Sequence, residues 1–383
     1  MRVYLLVMAI AAAVTFVATP LARRVGLAMG AMTAVRDRDV HTTPTPRLGG
    51  TAMWAGFVVA MGFASQMPFL SGVFVQPRQA LGILAGATLV CLLGAADDIW
   101  DLDWMTKLAG QVLAAGVMAW SGVQLITFPV FGVTIGSSRL SLVATIVVVV
   151  VCINAVNFVD GLDGLAAGLV AIGGAAFLVY TYLLTRDATP GDYSNLATLV
   201  TAALVGICLG FLPHNFFPSH IFMGDSGAML LGLVIAAAGI VVTGQVGLGE
   251  QTRREAFPAF LPIVLPVAII LLPLTDMVLA VVRRLRAGKS PFHPDRLHMH
   301  HRLLGLGHSH RRSVLIMYLW TAVFAFGAAA LALFSTTTVV IAVAAGCVVA
   351  VVLTAVGRSR EPAGAADAGP AAPDAHENED TPA

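Results

Sequence analysis

Long apolar runs, each broken by a short polar turn, repeat along this chain. They cover roughly 3–22, 49–68, 79–96, 106–121, 139–156, 162–185, 196–213, 227–243, 257–282, 313–334 and 335–355. Each is near the ~17–25 residues that a helix needs to cross a bilayer, so the pattern predicts about eleven transmembrane helices. A soluble bundle would carry charged residues at helical period on its wet faces, and these runs do not. The expected fold class is an all-α polytopic membrane protein.

Composition points the same way. Hydrophobic residues make up 58% of the 383, and charged residues 11%. A soluble domain of this length could not hide that much apolar surface. Arg2 precedes the first run, but the run's length and the many spans behind it predict a retained helix rather than a cleaved leader. Cys91, Cys152, Cys208 and Cys347 are scattered through apolar segments and suggest neither a disulfide framework nor a zinc site.

Basic residues set the expected orientation. One set of alternate loops holds Arg23, Arg24, Arg36, Arg38, Arg47, Lys107, Arg283, Arg284, Arg286, Lys289, Arg296, Arg302, Arg311 and Arg312, with Arg358 and Arg360 in the tail. The other set holds Arg2, Arg78, Arg139, Arg186, Arg253 and Arg254. The first set is expected to face the cytoplasm, with the N-terminus outside and the C-terminus inside. Residues 1–356 then form one transmembrane domain. Residues 357–383, acidic and rich in Ala and Pro, are expected to form a disordered cytoplasmic tail.

On that topology the polar residues gather at one face. "AADDIWDLDWMTKLAGQ" (95–111), "NAVNFVDGLDGLAAG" (154–168), "FFPSHIFMGDSGAML" (216–230) and "HPDRLHMHHRLLGLGHSHRR" (293–312) all fall at cytoplasmic turns. Asp97, Asp98, Asp101, Asp103, Asp160, Asp163 and Asp225 lie there, whereas Asp187, Asp192 and Glu250 stand alone opposite. Ionisable groups at membrane depth are expensive and usually functional. A single Asp at a helix start is often a cap, and Asp163 and Asp225 fit that reading. Capping needs one residue per helix, however, not an Asp pair or two Asn and two Asp within ten positions. Clustered carboxylates without Cys suit a hard cation, Mg²⁺ or Mn²⁺, completed by phosphate oxygens and water. Nearby Arg, His and Lys can hold the remaining phosphate charge.

Other signatures fail on inspection. "AGKS" (287–290) ends like a P-loop, but Arg283 stands where its first glycine belongs and no strand precedes it. The histidines at 298, 300, 301, 308 and 310 have no Cys or carboxylate at zinc-site spacing. A basic loop at lipid headgroups is the plain alternative for them. A transporter would place polar residues near the bilayer midplane. Here the spans' interiors are nearly free of charge, Asp276 excepted.

Taken together, the motifs resemble those of the polyprenyl-phosphate N-acetylhexosamine-1-phosphate transferases. "DDIWDLDW", "NAVNFVDGLDGL", "FMGDSGAMLLG" and "HMHHRLL" match four cytoplasmic signatures of that family in order, and "VHTTPTPRLGG" (40–50) matches the loop after its first helix. The resemblance spans roughly 20–330 and is nearest to the branch that transfers N-acetylglucosamine-1-phosphate from UDP-N-acetylglucosamine. The peptidoglycan branch, which transfers phospho-N-acetylmuramoyl-pentapeptide, carries three consecutive histidines. Here the run is His298, Met299, His300, His301, Arg302. The resemblance implies a Mg²⁺-dependent enzyme of the plasma membrane, with Mn²⁺ as a substitute ion. Its substrates would be UDP-N-acetylglucosamine and a polyprenyl phosphate. A homodimer is also implied, and no nucleic-acid partner. Carried over by motif, Asp225 and Asn157 bind the metal, and Asp97 and Asp98 face the lipid phosphate. Lys107 reaches the pyrophosphate. Phe222 stacks on uracil, Asp163 accepts its ring N–H, and Asp160 lines the same pocket. His298, His300, His301 and Arg302 contact sugar and phosphates.

Overall fold

A computed structural model describes residues 1–32, 45–125, 127–128, 133–134, 137–188, 194–245 and 308–356, with isolated positions between 278 and 303. The expected span at 257–282 and the tail at 357–383 lie outside the described residues, as do His298, His300, His301 and Arg302.

The described chain is helical. In order it forms α1 (Arg2–Met29), α2 (Gly49–Ser65), a 3-10 turn (Pro68–Leu70), α3 (Ser71–Phe74), α4 (Arg78–Trp100) and α5 (Trp104–Trp120). Then come α6 (Ser138–Val159), α7 (Leu165–Ala188), α8 (Leu196–Asn215), α9 (Gly224–Gln245), α10 (His310–Ala330) and α11 (Thr336–Ala355). One small antiparallel hairpin, β1 (Thr127–Phe128) with β2 (Val133–Thr134), departs from the all-α expectation.

Eight of the described helices are long and apolar enough to cross a membrane. One expected span, at 49–68, is shorter than the pattern suggested. α2 stops at Ser65 and the chain bends by 91° into Pro68–Phe74. α5 has 17 residues, a length of about 25 Å at the helical rise. The apolar run at 227–243 underestimates its helix, because α9 begins at Gly224 and takes Asp225 into its first turn. The chain is thus a multi-pass membrane protein.

Short polar side chains start these helices where the apolar pattern breaks. Asn195 accepts from Ala197 N and Thr198 N at the start of α8. Asp103 does the same for α5, taking Met105 N and Thr106 N at 2.9 and 3.1 Å. Each satisfies backbone donors that a helix start leaves open. The Thr106 hydroxyl and amide hold the Asp103 carboxyl below the usual carboxylate range. For Asp103, capping is the role observed.

α9 is the centre of the bundle and is wholly enclosed, packed by α2, α4, α6 and α8. Glycines permit the close approach. A Cβ on Gly50 of α2 would lie 2.0 Å from Gly227 N, and one on Gly94 of α4 would lie 2.3 Å from Ser226 N. In a membrane, where lipid is as apolar as the helix face, such close backbone packing drives association. α1 packs on α2 and α8, α7 on α8 and α10, and α11 on α10.

The helix turns at 101–103, 160–164 and 216–223 come to one end of the bundle. Backbone bonds tie the last of them to the α2 start: Gly49 N donates to Phe222 O at 3.0 Å and Gly50 N to Met223 O at 2.9 Å. The α11 C-terminus reaches the same end, where Thr354 O bonds His308 at 2.9 Å. The α1 N-terminus lies at the other end, where Asn195 N donates to the Tyr4 hydroxyl.

Candidate active site

The site assembles from four helix ends. In α4's last turn, Asp97 is buried. Its Oδ1 accepts Leu102 N at 2.8 Å, which closes the turn into α5. Asp101, in the left-handed conformation at φ 51°, makes that turn tight. One turn into α5, Lys107 aims back, with Nζ 2.5 Å from Asp97 Oδ2. The same ammonium donates to Asp225 Oδ2 at 3.2 Å. Asn157, in the last turn of α6, donates through Nδ2 to Asp225 Oδ1 at 3.0 Å. Thus α4, α5, α6 and α9 each place one polar side chain in a single cluster. Lys107 and Asp225 each keep 27% of their side-chain surface open, so solutes can reach the cluster.

Asp98 follows Asp97 in sequence but faces elsewhere. It is buried, and its two oxygens accept Asp225 N at 2.9 Å and Ser226 N at 3.2 Å. The turn 160–164 forms a second layer. Asp160 is half-buried at the C-terminus of α6. Burial, together with the Asp225, Asp98 and Asp163 carboxylates and against the pull of Arg47, pushes its carboxyl up to about 8. Asp163 is 1% exposed. Its Oδ2 accepts Ser219 N at 3.0 Å, and its own N–H is bonded by His310 at 3.1 Å. Phe222 is half-buried on the 216–223 loop, held by the bond from its N–H to Pro46 O at 2.8 Å.

Four residues support these turns, and of them only His310, one of the five loop histidines, was considered from the sequence. Gln111, one turn beyond Lys107, accepts Asn154 Nδ2 at 2.7 Å and joins α5 to α6 beneath the cluster. Asn215 is buried. It takes Gly164 N at 3.1 Å and gives to Ile221 O at 3.0 Å, fastening two site turns together. The Tyr318 hydroxyl donates to Gly164 O. His310 stacks on Phe217, with centroids 4.6 Å apart.

The donor set suits a hard divalent cation. Two carboxylates and an amide already surround one positive charge, the Lys107 ammonium. Among the described residues no three His, Cys, Asp or Glu converge as a closed metal site. Magnesium does not need one, since it binds through one or two carboxylates and completes its shell with phosphate oxygens and water. The cluster also sits at the helix ends rather than at mid-depth, unlike a transporter's substrate site.

Comparison with known proteins agrees with this geometry. Residues 80–243 match the glycosyl transferase family 4 profile. The chain is 43% identical over 324 residues to a decaprenyl-phosphate N-acetylglucosaminephosphotransferase of Mycobacterium tuberculosis, covering 84% of this chain and 80% of that one. It is 42% identical over 350 residues to the protein of that name from Mycolicibacterium smegmatis, covering 90% and 86%. A phospho-N-acetylmuramoyl-pentapeptide-transferase of Mycobacteroides abscessus is 33% identical over 351 residues, covering 80% and 90%. The chain belongs to glycosyl transferase family 4, among the polyprenyl-phosphate N-acetylglucosamine-1-phosphate transferases.

Proposed function

We propose that this chain transfers N-acetylglucosamine-1-phosphate from UDP-N-acetylglucosamine to a membrane polyprenyl phosphate. A lipid phosphate oxygen attacks the β-phosphorus of the donor. The bond from that phosphorus to the bridging oxygen breaks, UMP leaves, and polyprenyl-pyrophosphoryl-N-acetylglucosamine remains. The observation that carries the reading is the convergence of Asp97, Lys107, Asn157 and Asp225 from four helices at one end of a membrane bundle. The identity of 43% to relatives named for N-acetylglucosamine transfer, against 33% for the pentapeptide branch, supports the choice of sugar.

Such a transfer asks a protein for positioning and charge neutralisation more than covalent chemistry. Asp225 and Asn157 are the proposed holders of Mg²⁺, or of Mn²⁺ in its place. When bound, that ion would offset the repulsion between two anionic substrates. Lys107, placed between Asp97 and Asp225, is positioned to turn its ammonium to the donor pyrophosphate. Asp97 borders the same space and orients the lipid phosphate or accepts its proton. A phosphomonoester is already largely ionised near neutrality, so orientation alone suffices. Asp160 and Phe222 flank the proposed nucleotide pocket, with Asp163 behind them. The excess of Arg and Lys at the site end supports a cytoplasmic site in the plasma membrane, where a soluble nucleotide sugar can meet a lipid acceptor.

The test is UMP release by purified protein in detergent. UMP is expected only when UDP-N-acetylglucosamine and polyprenyl phosphate are supplied together. Release without the lipid would mean hydrolysis and would contradict the reading.

A further inference from the structure

Asp97 and Asp98 are neighbours, yet successive residues on a helix point about 100° apart. Asp97 faces Lys107. Asp98 faces the first turn of α9, where both carboxylate oxygens are engaged, by Asp225 N at 2.9 Å and by Ser226 N at 3.2 Å. Asp98 is only 8% exposed. Helix α9 offers no side-chain cap of its own, because neither Met223 before it nor Gly224 at its start carries an oxygen acceptor. Gly224 adopts φ 67°, and a Cβ there would lie 2.2 Å from Arg47 O and 2.3 Å from Asp98 Oδ2. The orphan amides at the start of α9 are therefore satisfied by a carboxylate from another helix 127 positions earlier.

One turn back on α4, Gly94 lies on the same face as Asp98 and meets the same two residues. A Cβ there would come 2.3 Å from Ser226 N and 2.5 Å from the Asp225 carbonyl carbon. Gly94 lets α4 touch the α9 start, and Asp98 then binds it. A negative charge at a helix N-terminus is also favoured by the aligned peptide dipoles.

We infer that Asp98 is a positioning residue that fixes the Asp225 backbone so that its side chain meets Lys107 and Asn157, and that it does not touch the lipid phosphate. This rests on the reading of Asp225 as a metal ligand. It assigns the two neighbouring aspartates different work, since Asp97 borders the open cluster while Asp98 holds the part that makes the cluster.

Asp98→Asn keeps the shape but turns an NH₂ toward one of the two N–H donors. In purified protein, amide exchange in a peptide spanning 222–230 is expected to accelerate by at least about tenfold. Mn²⁺ affinity, read by electron paramagnetic resonance without substrates, is expected to fall about 10- to 100-fold, the usual effect of losing a residue that orients a metal ligand. Transfer should fall at limiting Mg²⁺ and recover substantially at high Mg²⁺, with the KM for polyprenyl phosphate unchanged. If Asp98→Asn does not fold, Asp98→Ser, which keeps a small hydrogen-bond acceptor facing the same amides, should give the same signature in weaker form. Wild-type amide protection and Mn²⁺ affinity in Asp98→Asn, with a raised KM for the lipid, would overturn the inference. Asp225→Asn protein that binds Mn²⁺ as tightly as wild type would instead overturn the metal reading, and the exchange measurement still decides whether Asp98 holds α9.

Discussion

Lys107 and Asp225 meet at 3.2 Å where α5 reaches α9, and the same ammonium lies 2.5 Å from Asp97. One cation therefore holds two carboxylates that would otherwise repel. Removing one partner from such a group costs more the less water reaches it. Lys107 is partly open to water, so Lys107→Gln is expected to cost about 1–3 kcal/mol, between the exposed and buried limits. The measurement is thermal unfolding in detergent with EDTA and with Mg²⁺. Mg²⁺ should restore more stability to the variant than to wild type, since binding to the folded state adds stability by mass action. Equal restoration in both proteins would argue against a cation site at Asp225 beside Lys107.

Asp225→Asn keeps the side-chain shape at the start of α9 and removes its charge. Transfer is expected to fall by about three orders of magnitude, equivalent to roughly 4 kcal/mol in the barrier. Unfolding temperature should fall no further than in Lys107→Gln, because Lys107 keeps Asp97 and the bonds to Asp98 come from the backbone amides of Asp225 and Ser226. Wild-type turnover at limiting Mg²⁺ would remove Asp225 from the metal role.

Asp160 gives a pH test. Its carboxyl is pushed up to about 8 in the fold, first by burial and then by the Asp225, Asp98 and Asp163 carboxylates. The unfolded chain ionises Asp near 3.9, so between about pH 4 and 8 the folded state binds more protons. The stabilising contribution is then complete below pH 4 and is lost as pH rises through about 8. In EDTA, Asp160→Asn should lose less stability than wild type over that window, so its relative stability should grow toward alkaline pH. Parallel melting profiles for the two proteins would contradict this. With Mg²⁺ present, the wild-type slope should flatten, because a nearby cation favours the carboxylate.

Much of this architecture was legible as pattern. The helices follow the apolar runs, and Asp97, Lys107, Asn157 and Asp225 converge from motifs spread over more than a hundred residues. What the pattern missed follows from the range of the interactions. The distinct work of Asp98 depends on a backbone 127 positions away, and side-chain identity says nothing about which carboxylate meets it. Gln111, mid-way along α5, and Asn215, at the end of α8, carry no charge to mark them. Spacing offered one clue: Gln111 lies a turn after Lys107, and Asn154 nearly a turn before Asn157. Apolar periodicity also misplaced the start of α9, since an aspartate in the first turn reads as loop until a distant cap is known.

Asn215 carries a stability prediction. Replacing it with Leu strands Gly164 N and Ile221 O, both bonded to it at present. A buried polar group left unmet costs about 1–3 kcal/mol, so the pair should cost roughly 2–5 kcal/mol. Asn215→Leu is expected to melt well below wild type and to lose activity, since the turns carrying Asp163 and Phe222 lose their tie. An unchanged melting temperature would show that the tie contributes little.

The most direct measurement is donor choice, read in the lipid product. Purified protein, Mg²⁺ and polyprenyl phosphate are incubated separately with sugar-labelled UDP-N-acetylglucosamine and labelled UDP-N-acetylmuramoyl-pentapeptide, and the organic extract is counted. Label is expected in the lipid from UDP-N-acetylglucosamine only, and Asp225→Asn should abolish it. Label from the pentapeptide donor, with none from UDP-N-acetylglucosamine, would contradict the account.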